Sequence, residues 1–277
     1  MQTVLTIAGF DPSSGAGVSA DLMVFAAHSL FGTACITALT VQSTLGVQAS
    51  HPVSASIVRA TLDCLNADLP PLGVKIGMTS TSENIHKISG LVAILRAQHL
   101  EHHGARIPIV LDPVIRSSSG RELLDEPGVQ ALRENLLPLV DWVTPNLEEL
   151  AILSGEPVLR REDIPKACKA LQAQAARKEG CRLGVIATGG HMDPPDDFVL
   201  TPEGETAWLP GERIVTRSTH GTGCAFSSAF LSRLVLGESA MEAARGAKLY
   251  VSEAIKRAEH RGHGTSGIRH LWTKDQA

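Results

Sequence analysis

The chain has 277 residues, of which 43% are hydrophobic and 19% charged, enough for a large core and unlike a disordered or fibrous protein. A net charge of −4 without any basic block excludes nucleic acid as an expected partner, and one Tyr with three Trp is too few for base-stacking platforms. The five cysteines (Cys35, Cys64, Cys168, Cys181 and Cys224) include no C-x-x-C pair, so neither a disulfide framework nor a zinc knuckle is expected and a reducing compartment fits.

Met1-Gln2-Thr3 leads straight into an apolar strand, Val4–Ala8, with no basic leader or cleavage signal. No apolar run approaches a bilayer span, so the expectation is a cytoplasmic protein with no membrane partner. After Val4–Ala8 the pattern predicts a helix over Ala16–Ser29, a strand at Ala34–Leu39, a helix over Val53–Ala67 and a strand at Val74–Gly77. A helix over Ser82–His103, a strand at Ile107–Asp112, a helix over Gly128–Leu136 and a strand at Trp142–Thr144 follow. Helices over Leu147–Ser154 and Arg161–Lys178 flank the end of that run, then a strand at Leu183–Thr188 and a hairpin of Phe198–Leu200 with Thr206–Leu209. Two long helices, near Gly223–Leu236 and Met241–His260, precede a polar, Gly-rich, loop-like tail after Arg261. Alternating strands and helices predict an α/β, three-layer α/β/α fold with a central, mostly parallel sheet, in one domain spanning 1–277. Ligands of such sheets bind outside the carboxyl ends of the strands.

Gly15-Ala16-Gly17-Val18-Ser19-Ala20 fits G-x-G-x-x-A, yet Gly9 to Ser14 separate it from the strand, and after Asp21 the next acid is Asp63. A dinucleotide fold needs a tight turn and a ribose-binding acid about twenty residues on, so that reading is rejected. No G-x-x-x-x-G-K-[ST] loop and no G-x-S-x-G elbow occur. His99, His102 and His103 lack the acid of an H-E-x-x-H frame and read as a solvated helix end.

Thr219-His220-Gly221-Thr222-Gly223-Cys224 places two glycines at the start of a long helical pattern. Two readings stay open from the turn alone. Its backbone N–H groups and the helix dipole could form an anion hole for a transferring phosphoryl group; alternatively Thr222 is a plain N-cap. Cys224 at a helix start is expected to have a lowered thiol pKa, and a thiolate there could accept a proton, worth roughly 10²–10⁴ in rate. The competing reading is a small buried hydrophobe.

Ala8-Gly9-Phe10-Asp11-Pro12-Ser13-Ser14-Gly15-Ala16-Gly17 followed by Ala20-Asp21-Leu22 resembles the N-terminal signature of hydroxymethylpyrimidine/phosphomethylpyrimidine kinases, thiamine-biosynthesis members of the ribokinase-like superfamily. The resemblance continues in order through Ile36–Thr44, Lys75-Ile76-Gly77-Met78, Leu111-Asp112-Pro113-Val114, Thr144–Glu149, Gly189-Gly190-His191 and His220–Cys224. It implies a ribokinase-like fold, ATP and Mg²⁺, a hydroxymethylpyrimidine substrate and a homodimer. It also implies site residues. Cys224 would be the catalytic base, in place of the superfamily's usual Asp, with Gly221, Thr222 and Gly223 as the anion hole. Gln42 would pair with the pyrimidine; Asp21, Gly9, Val41 and Met78 would line the same pocket. Asn146, Thr188, Gly190, Gly221 and Gly223 would approach ATP, while Glu149 of N-x-x-E and Asp112 would organise the metal through water. Ser118 and Thr188 stand where the family often has lysines, which leaves Arg116 or Lys75 as replacement cations and weighs against phosphorylation of the monophosphate more than against the first transfer. A pyridoxal or pyridoxine kinase is the nearest alternative reading, and a non-catalytic pyrimidine sensor the second.

Overall fold

The computed structural model describes residues 1–176 and 183–273, so Cys181 and the end of the helix expected to reach Lys178 lie outside the described residues. Buried apolar runs set the sheet. Val4, Leu5, Ile7 and Ala8 are almost wholly buried within β1 (Thr3–Phe10), which pairs in parallel with β2 (Phe31–Ser43) and β4 (Val74–Ile76). β5 (Ile109–Leu111), β6 (Trp142–Val143) and β7 (Gly184–Ala187) continue the parallel pairing. β3 (Gly46–Pro52) is antiparallel to β2 at one edge; β8 (Asp197–Leu200) and β9 (Thr206–Leu209) form the expected hairpin at the other. The strand order is β3-β2-β1-β4-β5-β6-β7-β8-β9.

Successive side chains of a strand point to opposite faces, and the two cores divide accordingly. Leu5, Ile7, Ile109, Leu111 and Val185 pack under α2 (Ala55–Asp68), α3 (Ser82–His103), α5 (Leu147–Ser154) and α6 (Ile164–Ala175). Val4, Val110 and Ile186 pack on the other face under α1 (Gly17–Ala27), α7 (Thr222–Val235) and α8 (Ala240–Lys256). This is the three-layer α/β/α architecture that the alternation predicts.

Three segments differ from expectation. β3 carries only two apolar side chains, Val47 and Ala49, too few to stand out as a strand in sequence; it forms along the edge of β2 that faces away from β1, where it pairs with Ala38–Ser43. The helix expected over Gly128–Leu136 starts earlier, as α4 (Glu126–Ala131) capped by Asp125, then loosens into a π turn at Leu132–Leu136 and a 3-10 turn at Leu137–Leu139 that contains Pro138. The segment after α8 has little regular structure, yet Ser266, Ile268, His270 and Trp272 are buried. Among the described residues no helix is long and apolar enough to cross a membrane.

Candidate active site

The carboxyl ends of β1, β4, β5, β6 and β7 open into a cleft of about 880 Å³, lined at its centre by the Thr219–Cys224 turn. Gly221 sits at φ +79° as the N-cap of α7, and a Cβ there would lie 1.8 Å from the Gly15 carbonyl oxygen. No side chain caps this helix, so the first-turn N–H groups of Thr222, Gly223 and Cys224 are left to the cleft. The plain N-cap reading of Thr222 falls: the N-cap is a glycine. α3, α5 and α8, by contrast, are each capped by their own side chains. An uncapped helix start facing a cavity is an anion site.

Cys224 lies over a cluster of buried charges. Lys75 Nζ, wholly buried, donates to Asp21 Oδ1 and Oδ2 at 3.0 and 2.9 Å and stands 4.0 Å from Asp112 Oδ2. Asp21 also accepts from Thr6 at 2.5 Å and Ser228 at 2.8 Å, and Asp112 accepts from Ser227 at 3.3 Å and from the Cys224 thiol. The Gly17 N–H donates to the Cys224 sulfur. The expected lowered thiol pKa is not found. Burial pushes Cys224 up to about 12, and Asp112 and Asp21 add to the push against the pull of Lys75. Desolvation and two carboxylates outweigh the helix start. Burial likewise raises Asp112, against Lys75, and the Lys75 ammonium is held above its ordinary value because Asp21, Cys224 and Asp112 more than offset its desolvation.

Two expectations for the substrate pocket are corrected here. Asp21 does not reach the cleft; it is sealed beneath it as the partner of Lys75. Val41 is half exposed on the face of β2 opposite Gln42, as strand alternation requires. Gln42, Gly9 and Met78 do line the cleft, and a Cβ on Gly9 would meet Met78 Sδ at 2.7 Å. Lys75 is too deeply buried to meet a phosphate, and Arg116 is ion-paired to Glu148 at the mouth.

Asn146 and Glu149 form a capping box at the start of α5: Asn146 Oδ1 accepts from Glu149 N at 2.9 Å, and Glu149 Oε2 accepts from Asn146 N at 2.9 Å. Glu149 Oε1 takes the Ile115 N–H at 3.4 Å. Burial, then the nearby Asp112 charge, pushes the Glu149 carboxyl up to about 8. Thr188 bonds to the Pro145 carbonyl at 2.9 Å through its N–H, and its side chain, Gly190 and Asn146 face the same part of the cleft. Beyond them the lining turns apolar at Phe226, Val251 and Ile255, and charged at Arg213 and at the Lys248–Asp197 pair, 2.9 Å apart.

Sequence reasoning missed Asp11, Thr40, Ser227 and Ser228 as parts of the site, and missed His270, whose Nε2 lies 2.8 Å from the Gly15 carbonyl oxygen beside the turn. One signal was available: Lys75, a lone cation inside an apolar strand, demands a buried counter-charge.

The phosphomethylpyrimidine kinase family matches residues 11–269. The hydroxymethylpyrimidine/phosphomethylpyrimidine kinase of Rhizobium meliloti is 41% identical over 276 residues, covering 98% of each chain. A crystal structure of phosphomethylpyrimidine kinase from Clostridium difficile 630 superposes with a TM-score of 0.74 at 32% identity, over 92% of this chain and 100% of that one. The pyridoxal kinase of Staphylococcus aureus in complex with ADP superposes with a TM-score of 0.84 at 28% identity, over 98% of this chain and 94% of that one.

Proposed function

The chain belongs to the phosphomethylpyrimidine kinase family and is a kinase, and from that premise we propose that it transfers the γ-phosphoryl group of ATP to the hydroxymethyl oxygen of 4-amino-5-hydroxymethyl-2-methylpyrimidine, and then to the monophosphate, in thiamine diphosphate biosynthesis. The observation that carries this reading is the uncapped start of α7, with Cys224 in its first turn and Gln42 across the same cleft. ATP lies with its base among Phe226, Val251 and Ile255 and its phosphates toward Gly190 and Gly221–Cys224. The turn's N–H groups stabilise charge on the transferring phosphoryl group, and positioning supplies most of the rate.

The thiol is neutral at rest. It accepts the hydroxymethyl proton while passing its own to Asp112, whose carboxylate it already bonds and whose raised affinity for a proton suits it to the role. Glu149 and Asp112 fit a magnesium ion held largely through water: they are two coupled carboxylates on the cleft wall, and such a site needs only one or two carboxylates plus phosphate oxygens. Mg²⁺ would neutralise phosphate charge there. Without those lysines the phosphates would fall to the backbone N–H groups of the turn and to a bound metal, since Arg116 is paired with Glu148.

The test is mass spectrometry of products from ATP with the hydroxymethylpyrimidine, its monophosphate and pyridoxal. Mono- and diphosphate from the pyrimidines are expected; pyridoxal phosphate alone would replace this reading with its nearest rival, which the TM-score of 0.84 to a pyridoxal kinase favours. The sensor alternative is set aside on family membership. The protein is further read as cytoplasmic and as a homodimer closed over the edge formed by β2 and β3, where Phe31, Leu39, Val41 and Leu45 are exposed. Light scattering should then return twice the 29.3 kDa chain mass.

A further inference from the structure

At the β2–β3 end of the cleft, one carboxylate oxygen decides the direction of several hydrogen bonds. Asp11 Oδ2 lies 2.8 Å from His220 Nε2 and 3.3 Å from Gln42 Nε2, and those two nitrogens are 2.9 Å apart. His220 Nδ1 lies 3.3 Å from Ser118 Oγ, and Gln42 Oε1 lies 3.2 Å from Thr40 Oγ1. Amide orientation and imidazole tautomer follow from the partner that can play only one role. An ionised carboxylate is that partner, because it only accepts and its bonds are charge-assisted. Asp11 qualifies: Oδ1 already accepts from Ser13 N at 2.8 Å and Ser13 Oγ at 2.7 Å. Against the upward push of burial, the bonds from His220 and Ser13 hold its carboxyl below the ordinary value.

Were the ring proton of His220 only on Nδ1, its bare Nε2 would face Asp11 Oδ2 acceptor to acceptor, so Nε2 carries the N–H that points at that oxygen. The Gln42 amide atom 2.9 Å from Nε2 must then accept, and Thr40 Oγ1, whose one proton goes to the Phe10 carbonyl at 2.9 Å, must be met by a donor at 3.2 Å. Both ends therefore place the Gln42 carbonyl oxygen toward His220 and its amide nitrogen toward Thr40. The Ser118 hydroxyl then donates to Nδ1. Gly15 makes the arrangement possible, since a Cβ there would stand 2.2 Å from His220 Cδ2.

We propose that Asp11 is a positioning residue: it sets the polarity of the Gln42 amide and, through it, the hydrogen-bonding edge of the pyrimidine that this enzyme accepts. This rests on the pyrimidine-kinase reading above. With one N–H on Thr40 and one carbonyl lone pair on His220, Gln42 keeps a second N–H beside a second lone pair. Their complement is an acceptor next to a donor, which is a ring nitrogen beside an exocyclic amino group. The 4-oxo analogue offers a ring N–H beside a carbonyl and meets Gln42 donor to donor and acceptor to acceptor. Sites that pair polar groups reject such mismatches strongly, because buried groups are left unmet.

The experiment is steady-state turnover of the full chain with ATP and either the 4-amino pyrimidine or its 4-oxo analogue, for wild type, Asp11→Asn, Gln42→Ala and the double variant. Asparagine keeps the acceptor for Ser13 and replaces Oδ2 with a donor, so the His220 ring proton moves to Nδ1 and Gln42 turns over to donate to Nε2. Wild type should prefer the amino compound by about 10²-fold or more in kcat/KM. Asp11→Asn should narrow or invert that preference by about 10-fold or more, mostly in the KM of the pyrimidine, with the KM for ATP unchanged. In the Gln42→Ala background, Asp11→Asn should leave the amino-to-oxo ratio where it is. An active wild type with an unchanged ratio in Asp11→Asn overturns the inference alone; a wild type that phosphorylates neither pyrimidine overturns the functional reading and the inference with it. If Asp11→Asn does not fold, the ¹⁵N shifts of His220 in the wild-type protein still decide. The Nε2–H tautomer supports the proposal, and Nδ1–H overturns it.

Discussion

Two polar clusters flank the Gly221–Cys224 turn, and they are built on opposite terms. Beneath Cys224, Lys75, Asp21 and Asp112 are dry and bonded to one another and to Thr6, Ser227 and Ser228. At the mouth, Gln42, His220 and Ser118 are partly open, and their bonds run from 2.8 to 3.3 Å. The dry cluster fixes how much charge surrounds the sulfur; the wet one fixes which way dipoles point at a ligand. Charge is costly to bury unpaired, whereas an amide can be turned over for the cost of a hydrogen bond or two. Stability effects should therefore concentrate below the turn and selectivity effects above it.

The hardest test of that division is Lys75→Met. It leaves two carboxylates buried without their cation, and removing one partner of a buried pair costs about 3–5 kcal/mol. Chemical denaturation should show that loss, and adding Asp21→Asn should recover part of it, since the double variant buries one charge fewer. A Lys75→Met protein as stable as wild type would break the comparison at its base.

Cys224→Ala comes next, because it removes the proton acceptor without removing a charge. Turnover should fall by roughly 10²–10⁴, with the melting temperature nearly unmoved. Near-wild-type turnover would reassign the proton to Asp112 directly.

Glu149 gives an intermediate effect with a defined sign. Its carboxyl is pushed up to about 8 by burial and by Asp112, so in the nucleotide-free protein it holds a proton at pH 7 and has released it by pH 9. A cation competes with that proton. Apparent Mg²⁺ affinity should fall about 10-fold for each pH unit below 8 and level off above it, and Glu149→Gln should abolish the slope. Titration of the metal against pH by calorimetry, with proton release read from buffers of different ionisation enthalpy, checks both.

The two clusters were unequally legible in the sequence. Apolar runs and glycine turns gave the parallel strands, the long helices and the α7 start, because those depend on local pattern. Gln42 was legible from its motif, and strand alternation alone should have turned Val41 away from it. The Lys75–Asp21 pair joins residues far apart on β4 and α1, so spacing could not reveal it, although a lysine between Val74 and Ile76 signals a hidden partner. The sulfur's raised pKa was out of reach. The helix start that should lower it is local, while the burial and the carboxylates that raise it come from four elements folded together. Asp11 reads as one more polar residue of a Gly- and Ser-rich loop until β2 and the α7 turn bring Gln42 and His220 to it.

The smallest effect is the sharpest on the wet side. Ser118 makes one 3.3 Å contact, with His220 Nδ1, at an exposed position where a neighbouring water can replace it. Ser118→Ala should therefore change the KM for the pyrimidine by about two-fold and stability by less than about 0.5 kcal/mol. It should leave the amino-to-oxo preference intact, because Asp11, not Ser118, holds the end of the chain that cannot reverse. Loss of that preference in Ser118→Ala would move the fixed point from the carboxylate to the hydroxyl, and the mouth would then be ordered from the loop inward.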